Sequence, residues 1–259
     1  MPVRAAGATR AAGVALVAAG VAASGLMYGG AASAAVATGA GAMGARPGHH
    51  SNPPPAYART LTVRRLSDAG PGSLRAAITS ANTSLPGRPT LIRFAVRGTI
   101  TLSSDLPEIS RWVTIDGATV PGYAHGAPVV ELDSHGQAGL DFAPGSSGSR
   151  LLALAVDNAV GDGVTLESSN ITVDGNYIGL NLSGAVAGNH GDGIFVSRSS
   201  FGNTIGENPA HRSGAVSNVI SGNQGNGITL GSLNTVQDNR IGTNPAGTAA
   251  IPNRDNGIR

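Results

Sequence analysis

Apolar and polar residues alternate in short bursts over the second half of the chain. Val164 and Leu166, Ile194 and Val196, and Ile228 and Leu230 occupy alternate positions in segments that each open on glycine (Gly163, Gly193, Gly227). Alternation is strand period with one face buried. Asp or Asn precedes each glycine (Asp162, Asp192, Asn226), and Asn256-Gly257-Ile258 starts the pattern again. The glycines recur at intervals of 30, 34 and 30 residues. A second motif alternates with the first: Thr172-Val173-Asp174-Gly175-Asn176-Tyr177-Ile178-Gly179 returns 63 residues later as Thr235-Val236-Gln237-Asp238-Asn239-Arg240-Ile241-Gly242. Two interleaved motifs at a near-constant period predict a repeat architecture. Four-residue strands cannot each bury a face alone, so they must stack their aliphatics coil upon coil.

Gly, Asn, Asp and Ser fill the gaps, as tight corners require. Fifteen of the seventeen Asn lie at or after Asn158. Stacked Asn at equivalent corners are expected to form side-chain ladders between coils. Each such bond contributes about 1 kcal/mol net, against roughly 1.5–3 kcal/mol for each buried Val, Leu or Ile. The aliphatic stack stabilises, and the Asn corners fix register.

On the motifs Asn203-Thr204-Ile205-Gly206, Asn218-Val219-Ile220-Ser221-Gly222-Asn223, Gly225-Asn226-Gly227-Ile228 and Asn239-Arg240-Ile241-Gly242-Thr243-Asn244, the chain resembles secreted right-handed parallel β-helix proteins of the pectate-lyase-like superfamily. The likeness covers residues 139–259. It implies an all-β solenoid, and leaves activity open because fold does not fix function.

Upstream, Thr60-Leu61-Thr62-Val63 alternates as a strand. Leu74, Ala77, Ile78 and Ala81 make one apolar face of a short helix with Ser73 as N-cap and Asn82 at its end. Such a helix is expected to cover the open end of the stack. Gly72-Ser73-Leu74-Arg75-Ala76-Ala77-Ile78 is similar to the CSLREA-type module, with Gly72 at the Cys position and Ala76 at the Glu position. Further strands are expected at Leu91–Phe94, Thr99–Leu102, Trp112–Ile115, Val129–Leu132 and Gly139–Phe142, and across Leu151–Val156. The expected organisation is a signal peptide at 1–34, a Pro/Gly/Ala-rich linker at 35–58, a cap helix with irregular first coils at 59–138, and regular repeats at 139–259.

The leader rests on Arg4 and Arg10 ahead of the apolar stretch Ala11–Tyr28 and the small residues Ala32-Ser33-Ala34. A retained anchor is the competing reading, since the uncharged run is long enough to span. Weak hydrophobicity and the small-residue end favour cleavage, a secreted protein and no stable membrane insertion. Removing the leader takes away Arg4 and Arg10 and no acid, so the formal charge falls from +2 to zero. No clustered positive charge marks a nucleic-acid surface. With no Cys, the chain is no disulfide scaffold.

Candidate chemistry follows from departures from the repeat. Asp174, His190, Asp192, Asp238 and Arg240 are the catalytic candidates. Pectate-lyase-like relatives imply a groove with carboxylates, calcium or an Arg base, and glycosidases a carboxylate pair. The Asp-Gly pairs also suit turns, since Asn226 and Asn256 stand where Asp162 and Asp192 do. Tyr177 and Phe195, with Tyr123, are the candidate sugar-contacting aromatics. No metal site is expected: His49-His50 stands alone in the linker, and calcium is supported by no specific motif. The expected function is a secreted surface protein contacting extracellular or cell-wall carbohydrate, with no catalysis established. The alternative is a polysaccharide lyase or glycoside hydrolase working in a groove along the β-helix. Because Gly257-Ile258-Arg259 opens a further strand pattern, the sequence reads as a fragment or as ending in a frayed or paired coil.

Overall fold

The computed structural model describes residues 56–123, 126–206 and 218–259. The expected leader, His49-His50 and the linker up to residue 55 lie outside the described residues. Strand β1 (Arg59–Val63) precedes helix α1 (Leu74–Ala81), then β2 (Thr90–Phe94), β3 (Gly98–Thr101) and β4 (Val113–Asp116). A 3-10 turn over Gly117–Thr119 leads to β5 (Val130–Asp133) and β6 (Leu140–Phe142). Seven short strands follow: β7 (Arg150–Leu152), β8 (Ala155–Asp157), β9 (Val164–Leu166), β10 (Thr172–Asp174), β11 (Tyr177–Ile178), β12 (Ile194–Val196) and β13 (Thr204–Ile205). The last four are β14 (Val219–Ile220), β15 (Ile228–Thr229), β16 (Thr235–Val236) and β17 (Arg240–Ile241).

Every pairing between these strands is parallel, and they make three sheets. Sheet A runs β1-β2-β4-β7-β10-β13-β16, sheet B β3-β5-β8-β11-β14-β17, and sheet C β6-β9-β12-β15. From β6 onward the chain visits C, A and B in rotation, and each strand bonds to the strand three later. Ile258 continues the series by bridging Ile228 in parallel.

Register puts like on like. Ile92, Ile115, Leu151, Val173 and Ile205 line up across sheet A, and Val164, Ile194 and Ile228 across sheet C. All of these are fully buried and belong to one hydrophobic cluster running from Val63 to Ile228. Helix α1 joins that cluster through Leu74, Ala77, Ile78 and Ala81, the face expected from its spacing, and packs against β1 and β2. Ser73 caps it, its hydroxyl accepting from the Ala76 N–H at 3.2 Å.

The corners carry the expected side-chain ladders. Asn176 donates its amide to Asn218 Oδ1 at 2.9 Å, and Asn218 donates to Asn239 Oδ1 at 2.9 Å. Leu151–Val156 is not one strand, as its apolar run suggested, but β7 and β8 divided by a corner. Ala153 turns there at φ 55 without a glycine. The Leu154 N–H is held by Asn176 Oδ1 at 2.9 Å, so a side chain from the following strand pair fixes the bend. No helix among the described residues is long and apolar enough to cross a membrane.

Candidate functional site

Sheet C carries an outward row that combines a carboxyl, two hydroxyls and an aromatic ring. Asp141, Thr165, Phe195 and Thr229 occupy one register position on β6, β9, β12 and β15. Their neighbours in each strand are core residues: Leu140 and Phe142, Val164 and Leu166, Ile194 and Val196. Strict alternation therefore turns this row outward. Phe195 is half-buried between two threonines, its ring backed by the sheet. Asn226 donates its amide to Thr229 Oγ1 at 3.1 Å, fixing the last hydroxyl of the row.

Asp141 begins the row. Its Oδ1 is buried with no hydrogen-bond partner. Burial first, then the charges of Glu167 and Glu108, push this carboxyl up to about 6. Both neighbours are placed by the backbone: Glu167 follows β9 and its N–H donates to the Phe142 carbonyl at 3.0 Å, while the Ile109 N–H donates to the Asp141 carbonyl at 2.8 Å and so brings Glu108 alongside. Both glutamates are exposed. A carboxyl that keeps its proton into the mildly acidic range, beside other carboxylates and on an open face, can donate as well as accept hydrogen bonds.

The other residues singled out by the sequence fall in three places. Asp174 ends β10 on sheet A, half-buried. Tyr177 and Arg240 share one position on sheet B with Val219 between them. Tyr177 is only 5% exposed: its ring packs with Ala155, Leu180 and Val219, covered rather than offered as a platform. Burial raises its hydroxyl above the ordinary value, Arg240 lowers it and Tyr123 raises it. Tyr123 is likewise raised, by burial first and then by Asp116 and Asp174, against a bond from the Gly126 backbone. Asp174, Tyr177, Tyr123 and Arg240 are thus neighbours around the edge between sheets A and B. Arg240 spends one guanidinium nitrogen on the Pro245 carbonyl at 2.6 Å.

Asp238 sits at φ 54 where the earlier copy of the motif has Gly175 at φ 69, so it occupies the turn position itself. His190 and Asp192 lie in the corner between sheets B and C. His190 is exposed, and its backbone N–H donates to the Ala159 carbonyl at 2.9 Å. Asp192 accepts from the Asn226 N–H at 2.6 Å and from its side-chain amide at 3.0 Å. Its own N–H donates to Asp162 Oδ1 at 2.7 Å. Of the sequence candidates, only Phe195 stands in the sheet C row.

Sequence reasoning missed Asp141, Glu167 and Glu108, and also three carboxyls on sheet B, Glu131, Asp133 and Asp157. The available signal was the outward phase of Asp141 in Leu140-Asp141-Phe142. Its acidic neighbours come from separate elements and leave no local trace. Among the described residues, no three His, Cys, Asp or Glu side chains converge in a way that could hold a metal ion. A shallow cavity of about 450 Å³ beside β1, lined by Arg59, Arg88, Ser84 and Thr90 among others, contains none of these residues. The sequence matches no protein-family model and shows no significant similarity to any curated protein.

Proposed function

We propose that this chain is a secreted right-handed parallel β-helix that contacts extracellular carbohydrate through the outer face of sheet C, without turning it over. The rotation of strands through three parallel sheets over one aliphatic core supports the β-helix, as does the resemblance of residues 139–259 to the pectate-lyase-like proteins. Secretion rests on the leader read at 1–34.

The observation that carries the carbohydrate reading is the register of Asp141, Thr165, Phe195 and Thr229. With strands about 4.8 Å apart, the row is about 14 Å long, which suits an extended oligosaccharide better than a single ring. An aromatic face takes the apolar side of a pyranose, and the flanking hydroxyls and carboxyl take its hydroxyl groups. The test is retention of the leader-free protein on immobilised uronic and neutral glycans. Phe195→Ala is expected to lose retention at least about tenfold, about 1.4 kcal/mol, while the protein stays folded at the assay temperature. Failure of the unaltered protein to be retained on any glycan overturns the reading.

One observation favours glycoside hydrolysis as a second reading. Asp141 holds its proton to about 6 beside Glu167, the division of labour that an acid and a base require. New reducing ends, abolished by Asp141→Asn, would replace the binding reading with the hydrolytic one. A lyase drawing on Asp174 and Arg240 would instead give unsaturated products abolished by Arg240→Ala.

A further inference from the structure

Three carboxyls crowd the outer face of sheet B, where Glu131 shares a register row with Tyr177 and Arg240 and lies away from the sheet C row. Glu131 and Asp133 are alternate residues of β5, and Asp157 on β8 is in register with Asp133. Asp157 is fully buried and Glu131 is 9% exposed. The cationic side chains that would normally accompany such a group are missing from its contacts. Glu131 accepts from Thr99 Oγ1 at 2.8 Å, and Asp133 from Thr101 Oγ1 at 3.4 Å and the His135 N–H at 3.0 Å. The Asn158 side-chain amide donates to both Asp133 Oδ1 at 3.0 Å and Asp157 Oδ1 at 3.2 Å. That leaves Asp157 Oδ2 buried without a donor.

An ionised Asp157 in this place would be a buried charge with an empty oxygen beside two like charges, an arrangement that costs several kcal/mol. A proton removes the conflict. β8 lies beside β5, so Asp157 faces the Glu131 carboxyl, and a proton on Asp157 gives its carboxyl a hydrogen bond to donate. Burial first, then Glu131 and Asp133, push Asp157 up to about 9.

The pair is tied by hydrogen bonds to a surface hairpin. After β11 the chain leaves sheet B in a hairpin over Gly179–Ala187, closed by the antiparallel bridge Leu180–Val186 and by the Ala187 N–H on the Gly179 carbonyl at 3.0 Å. Its Leu180 covers Tyr177 and Val219. The far end of the hairpin is anchored where the Asn158 N–H donates to the Ala187 carbonyl at 3.1 Å. Asn158 itself is in the left-handed region at φ 52, and its side chain holds Asp133 and Asp157. We propose that a proton held on the buried Asp157 carboxyl against Glu131 is a clasp: its loss displaces Asn158 and frees the hairpin from the outer face of sheet B.

The groups facing Asp157 are few. Glu131 and Asp133 come from β5, and the threonines from β3 carry no charge. The hairpin following β11 has no ionisable side chain. His135 and His190, in the adjoining corners, are both exposed. The inference is independent of the carbohydrate reading.

Two measurements on the full chain test it. Carbon-13 NMR of the carboxyl groups is expected to show Asp157 titrating in the alkaline range, and titration between pH 3 and 5 overturns the proposal. Amide hydrogen exchange of residues 180–187, corrected for intrinsic base catalysis, is expected to lose about tenfold or more of its protection between pH 7 and pH 10. In Asp157→Asn, whose amide donates where the proton did, protection is expected to stay flat. Equal loss in both proteins, or none in the unaltered one, sinks the clasp. So does a shift of the three carboxyl signals by millimolar calcium at pH 7, which would make the cluster a cation site. The NMR measurement needs no variant and decides even if Asp157→Asn does not fold.

Discussion

Asn189 donates its side-chain amide to Asn223 Oδ1 at 2.9 Å, and Asn223 repeats the bond to Asn253 Oδ1 at 2.9 Å. Each also bonds a backbone carbonyl of its own neighbourhood, Val156 for Asn189, Ile178 for Asn223 and Ile220 for Asn253. The series thus stitches the backbone of successive strands of sheet B to the corner that follows them. Asn223 is 1% exposed, so none of these groups can turn to water when a partner is lost. Asn223→Ala leaves the Asn189 N–H and amide without their acceptor. A loss of about 2–4 kcal/mol is expected, at about 1–3 kcal/mol for each buried group left unpaired. Urea unfolding of the variant, read as a shift of midpoint at constant m-value, checks it.

A neighbouring series gives the opposite expectation. Asp162, Asp192, Asn226 and Asn256 follow one another at the start of the sheet C strands, and each side-chain oxygen accepts the N–H of the next residue in the series. Asp192 uses its oxygen as an acceptor, which an amide supplies equally well. Its charge is one of the causes that raise Asp162 above the ordinary carboxylate value, after burial. Asp192→Asn is therefore expected to change stability by less than about 0.5 kcal/mol, in either direction, and to leave glycan retention untouched. Thermal melts together with the retention assay check both halves. A lost activity would restore Asp192 as a functional carboxylate.

What the sequence made legible was whatever is local. Alternation in Val164–Leu166 and Ile194–Val196 identified the strands and their buried face, and the spacing of Leu74, Ala77, Ile78 and Ala81 identified the helix. The Asn-rich corners announced the ladders, because an Asn in a glycine-flanked turn has few other partners. Contacts that depend on the length of chain between strands were not legible. Asp157 meets Glu131 because β8 lies beside β5 with three other segments of chain between them, and no motif at either residue encodes that. Tyr177, a candidate sugar-contacting aromatic, is not offered to a ligand, because the hairpin after it folds back and covers the ring. The bend at Ala153 was hidden because the side chain that holds it belongs to Asn176, three strands further along the chain.

The stack through Ile194 can be probed directly. Ile194 is fully buried between Val164 and Ile228, and its strand neighbour Phe195 is half-exposed on the opposite face. Ile194→Ala opens a cavity inside a column whose strands are only three residues long or fewer at this point. A loss of about 2–5 kcal/mol is expected. Phe195→Ala one residue along should cost under about 1.5 kcal/mol, since its ring, on the outer face, is not fully withdrawn from water. Calorimetric melts of the two variants side by side check the alternation. Equal losses would mean that the ring, too, is part of the core.

Asp141 gives stability a dependence on pH that can be read without knowing any ligand. Its carboxyl is raised from the ordinary 3.8 to about 6 in the folded chain, by burial first and then by Glu167 and Glu108. Between those two values the folded chain holds a proton that the unfolded chain has released. The contribution of Asp141 to stability must then fall as pH rises through this window and level off above about 6, since the slope follows the difference in bound protons. Asp141→Asn carries no titrating proton and should flatten this part of the profile while keeping the outward polar group in place. Unfolding midpoints measured from pH 4 to pH 7 for the two proteins test this. If the difference between them is constant across that range, Asp141 ionises alike in the folded and unfolded chains, and the acid needed for the hydrolytic reading is lost with it.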